Sequence, residues 1–207
     1  MSCVNPNVAV RLKATLRQTN NLINLKINKV FNVTTVIQKV ICPPDQVFVR
    51  RNFDYLLTIG GDLVDNEDEY NKLRATLENI GETEFYIHEN LDATVTDRNE
   101  PFRITISLKD DYTEFQEKVR ALEAPLGWSI NHFFVYGQNE NWGIYIAEFP
   151  TINIIGCDIQ LSEKFRKTYS ISENGYAELK EFIAREFQSN PDQLVKFITN
   201  YKLECKE

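Results

Sequence analysis

The chain has 207 residues, 43% hydrophobic and 26% charged, with a formal net charge of −7. That balance excludes wholesale disorder and suits a folded protein with a sizeable core. No apolar run approaches the ~18 residues a membrane span needs, and no basic stretch leads into an apolar one after Met1, so a cytoplasmic protein is expected.

The charge is unevenly spread. Residues 1–51 carry eight Lys or Arg against Asp45 alone, a balance of +7. The remainder carries fifteen basic and twenty-nine acidic residues, a balance of −14. In chain order, Val8, Leu12, Leu16 and Ile23 recur at near-helical spacing with Arg11, Lys13 and Arg17 between them, predicting an amphipathic helix over 8–24. Residues 25–41 fit a strand by alternation and a helix by an equally good stripe, and Pro43-Pro44 ends either.

Phe53, Tyr55, Leu57 and Ile59 alternate as a strand that stops at Gly60-Gly61. Asn66 and Glu69 read as a capping box opening a helix over Tyr70, Leu73, Leu77 and Ile80, with Gly81 as its stop. Residues 84–89 and 102–108 read as strands, and Asp111 with Glu114 caps a second helix. Residues 131–136, 142–149 and 152–159 predict a three-stranded meander, because the connectors between them are short and turn-like. Two helices close the chain, the last started by Asn190-Pro191. The expected fold is α+β: a mostly antiparallel sheet with a C-terminal three-stranded meander, flanked by amphipathic helices, in one domain over 1–207. The basic segment 1–51 is expected to be part of that domain, since its apolar stripes need burying.

No motif identifies a reaction. Gly60-Gly61-Asp62 stands where a phosphate loop would, but the lysine and hydroxyl of such a loop are missing. A calcium loop from Asp65 would need glycine and glutamate where Tyr70 and Thr76 stand. Cys3, Cys42, Cys157 and Cys205 form no CxxC pair, so reduced thiols, no metal and no cofactor are expected. A small hydrolase or transferase would draw on His88 or His132 with Cys157 or Asp158, and alternation turns Cys157 and Asp158 to opposite faces. Arg11, Lys13, Arg17, Lys26 and Lys29 could line nucleic-acid phosphates, but the acidic remainder favours pairing within the fold.

Aromatic residues concentrate between Trp128 and Phe149, and both faces of the middle meander strand are largely apolar. Such a sheet is covered on both sides or leaves a face for a partner. The stretch Asn141-Trp142-Gly143-Ile144-Tyr145 followed by Ile154-Ile155-Gly156-Cys157-Asp158 resembles a pattern in small cytoplasmic immunity proteins of bacterial polymorphic-toxin systems. The resemblance implies a non-catalytic protein that binds and blocks a toxin domain. An acidic surface would suit a basic toxin through steered association. The candidate contacts are Asp62, Asp65, Glu67, Asp68 and Glu69, with Trp142 and Tyr145.

Overall fold

Strands form here where apolar and β-branched residues run together, and helices where apolar residues recur every three or four positions. The computed structural model describes residues 26–33, 41–50, 52–59, 63–90, 101–123, 132–146, 152–171, 175–187 and 189–203. The strands are β1 (Asp54–Ile59), β2 (Glu84–Glu89), β3 (Arg103–Ser107), β4 (Phe133–Gly137), β5 (Trp142–Ile146) and β6 (Ile152–Cys157). They make one antiparallel sheet in the order β1-β6-β5-β4-β2-β3. The expected meander is β4, β5 and β6, with Phe133 opposite Ile146 and Trp142 opposite Cys157. The helices are α1 (Glu67–Asn79), α2 (Tyr112–Glu123), α3 (Ile159–Thr168), α4 (Gly175–Glu186) and α5 (Pro191–Asn200). The fold is α+β.

Helices cover both faces of the sheet, which explains why its strands read as nearly unbroken apolar runs. On one face Phe133, Val135, Trp142, Ile144, Ile155 and Cys157 pack with Leu73 and Leu77 of α1, Phe115 of α2 and Phe165 of α3. On the other, Phe134, Tyr136, Tyr145 and Ile154 pack with Ile27, Val30, Phe31, Val47 and Phe48, and with residues of α4 and α5. The described residues 26–33 and 41–50 are thus built into the core. The expected helix over 8–24 lies outside the described residues.

The meeting of sheet and N-terminal segment depends on two glycines. Gly143 and Gly156 face each other across β5 and β6. A Cβ on Gly143 would stand 2.5 Å from the Phe31 ring, and one on Gly156 2.7 Å from the Phe48 ring. Phe31 and Phe48 form a bridge, with ring centroids 4.9 Å apart. Residues 26–30 are helical and Phe31 makes a single isolated bridge, so among the described residues the helical reading of 25–41 holds over 26–30. The C-terminal helix then clamps this layer. Tyr201 donates from its hydroxyl to the Asp45 carbonyl at 2.6 Å, and Asn200 Nδ2 donates to the Pro44 carbonyl at 2.7 Å.

Local caps follow the sequence with one variation. Asp111 and Glu114 complete a reciprocal box, each carboxylate accepting from the other's amide at 2.9 and 3.0 Å. At α1, Asn66 accepts from the amides of Asp68 and Glu69, but the Glu69 carboxylate turns to Lys72 at 2.8 Å. Gly81, at φ 84°, closes α1, with Glu82 N–H donating to the Leu77 carbonyl at 3.0 Å. The third meander strand was expected to run through Ile159. It stops at Cys157, because Asp158 begins α3 and its carbonyl accepts from Leu161 N–H at 2.8 Å.

Candidate functional site

The acidic end of the molecule is built on a held turn. Tyr112 Oη and Gln116 Nε2 of α2 both donate to the Val64 carbonyl, at 2.9 and 3.1 Å. This fixes the turn before Asn66, so α1 starts with Asp65, Glu67 and Asp68 exposed. Placing acids at the positive end of α1 also suits its dipole. Asp65 lies 3.7 Å from Arg120, a solvent-exposed pair that salt screens readily. Glu69 is half-buried and paired with Lys72, and Asp62 lies outside the described residues.

The other candidates are dispersed. His88 lies on the face that residues 26–33 cover, while Cys157 lies on the opposite face, with β4 and β5 between their strands. Burial, and then the Arg103 guanidinium, hold His88 down at about 3. Burial, reinforced by Asp54 and Asp158, pushes the Cys157 thiol up to about 12, far from a reactive thiolate. His132 precedes β4 at the Ile146 end of the sheet, whereas Asp158 follows β6 at the Trp142 end, where it meets Arg50 at 3.5 Å. Neither histidine therefore shares both a side and an end of the sheet with Cys157 or Asp158.

Trp142 and Tyr145 are both 0% exposed and present no surface to a partner. Trp142 serves the interior. Its Nε1 donates at 3.0 Å to Glu82, a carboxylate only 4% exposed. Glu82 also accepts from the Gln138 amide at 2.9 Å and from the backbone and side-chain nitrogens of Asn139, each at 3.2 Å. This one carboxylate pins the β4–β5 hairpin tip to the end of α1. Among the described basic residues of the N-terminal segment, Lys29 meets Glu140 at 2.5 Å, Arg50 meets Asp158, and Lys26 lies over the Tyr86 ring. For Lys29 and Arg50 charge complementarity is internal.

Sequence reasoning missed two polar arrangements. Asp54 on β1 accepts from the Ser162 hydroxyl of α3, and Arg166 Nη2 stands 3.6 Å from the same carboxylate oxygen. These side chains line an open groove between α1 and α3. The second arrangement joins His88, Tyr136 and Arg103 through strand register, and no spacing in the sequence signals it. Among the described residues no group of three or more His, Cys, Asp or Glu is placed to hold a metal ion, and no helix is long and apolar enough to cross a membrane. No protein-family profile, curated protein or solved structure matches the chain.

Proposed function

We propose that the chain is a non-catalytic protein-binding module whose acidic end meets a basic partner, of the kind that neutralises a toxin domain by covering it. The observation that carries this reading is placement. Asp65, Glu67 and Asp68 stand in solvent around a turn held from beneath, while neither histidine shares both a face and an end of the sheet with Cys157 or Asp158. A net charge of −7 adds long-range attraction for a cationic surface and speeds encounter. Trp142 and Tyr145 serve this reading as the scaffold behind the surface.

Charge reversal tests it. The triple variant Asp65→Lys, Glu67→Lys, Asp68→Lys changes exposed side chains and leaves both cores intact. Immobilised wild type should retain a basic protein from a native lysate at ~50 mM salt and release it at ~500 mM, where screening is short-ranged. The triple variant, shown folded by circular dichroism, should retain none of it. Equal retention by both chains would remove the acidic end from the reading. A wild type that retains no protein at low salt would remove the reading itself.

A further inference from the structure

Strands β2, β3 and β4 bring three polar side chains together on the face that residues 26–33 cover. Alternation along β2 turns Tyr86 and His88 to that face. Register sets Tyr136 opposite Tyr86, and both Phe134 and Arg103 beside His88. His88 is 2% exposed and Tyr136 0%. Among the described residues, neither ring nitrogen of His88 nor the hydroxyl of Tyr136 has a hydrogen-bond partner. Proteins seldom leave three buried polar atoms dry on neighbouring positions unless something else occupies the place.

The surroundings favour a negative occupant. Arg103 acts on both groups, helping burial to lower His88 and opposing the upward push that burial gives Tyr136. The Lys26 ammonium lies 5.3 Å from the centre of the Tyr86 ring. The nearby Glu84 is occupied, accepting from the Tyr86 hydroxyl at 2.6 Å. A neutral imidazole offers one donor and one acceptor, the phenol a donor, and the guanidinium a cationic fork. Water would satisfy the hydrogen bonds alone, whereas the Arg103 guanidinium beside them suits an anion better.

We propose that His88, Tyr136 and Arg103 form a binding site for a small oxyanion, a carboxylate or phosphate group, reached from the β3 edge. At that edge Arg103 is half-buried and Thr105 is exposed. The Tyr136 hydroxyl and one His88 N–H donate to the oxyanion, and Arg103 balances its charge. This site is separate from the acidic end, so it stands or falls independently of the protein-binding reading.

The test follows the His88 ring by nuclear magnetic resonance in the full chain at neutral pH, with the signal assigned by its loss in His88→Gln. Sodium acetate and sodium phosphate are added in turn, against sodium chloride at matched ionic strength. At least one oxyanion should shift the His88 signals saturably while chloride does not, and the responding anion tells carboxylate from phosphate. Affinity should fall about tenfold or more in Tyr136→Phe, which keeps the ring packing, and likewise in Arg103→Gln. No saturable shift with either oxyanion in the folded wild type would overturn the site. So would a shift of unchanged affinity in Tyr136→Phe.

Discussion

Two buried ionisable groups, one just before strand β2 and one within it, are treated in opposite ways. Glu82 has its carboxylate filled by four donors from the β4–β5 hairpin. His88, the fifth residue of the strand β2 that follows and equally sheltered, has both ring nitrogens without a partner among the described residues. A buried charge is tolerable only when its hydrogen bonds are complete, so Glu82 is a structural pin. A buried neutral ring with none is a cost that stability alone does not explain. The difference separates the part of the sheet that holds the fold from the part free to receive a ligand.

The comparison can be broken from either side. Glu82→Ala strands the Trp142 indole N–H and the hairpin amides, and should cost about 4 kcal/mol, read from the shift of the urea midpoint at constant slope. Acid acts on the other group. His88 has a folded-state value of about 3, below the ordinary 6.5, so the unfolded chain takes up the proton first. Its contribution is intact above pH 6.5 and is lost as pH falls toward 3, amounting to about 3 kcal/mol between pH 7 and pH 4. Comparing stability-against-pH curves of wild type and His88→Leu isolates this loss, and parallel curves would show that His88 is not buried as described. Without added oxyanion, Tyr136→Phe should raise stability by about 1 kcal/mol, because it removes an unpaired buried hydroxyl. The smallest effect lies elsewhere. Ser170 closes α3 at φ 52°, so Ser170→Gly should stabilise by about 0.5 kcal/mol, visible as a small rise in melting temperature.

Much of the architecture was legible because its signals are local. Alternation marked β1, β3 and the meander, and Asn66, Asp111 and Asn190 announced three helices with side-chain caps that form. Helix α3 escaped because its apolar content is thin. Ile159 is 70% exposed, Phe165 is its chief anchor, and the apolar run of β6 leads straight into it. Whether the aromatic sheet was core or docking surface turned on Gly143 and Gly156 matching Phe31 and Phe48, a fit between distant parts of the chain that no local pattern encodes. The same holds for the sites. The exposed acids before and within α1 were readable as a helix start, whereas His88, Tyr136 and Arg103 meet only through the ladder.

The clamp between the last helix and the N-terminal layer bears on how the protein is made. Tyr201 reaches back 156 positions to Asp45, and Phe197, Tyr201 and Leu203 complete the core that Phe31 and Phe48 begin. Until α4 and α5 dock, only residues 26–33 and 41–50 among the described residues cover this aromatic sheet face. Contacts of such long range form slowly, and an apolar face exposed meanwhile invites association with other chains. Docking of α4 and α5 is therefore expected late in folding, and a variant that weakens the Tyr201–Asp45 contact should leave this face open to association.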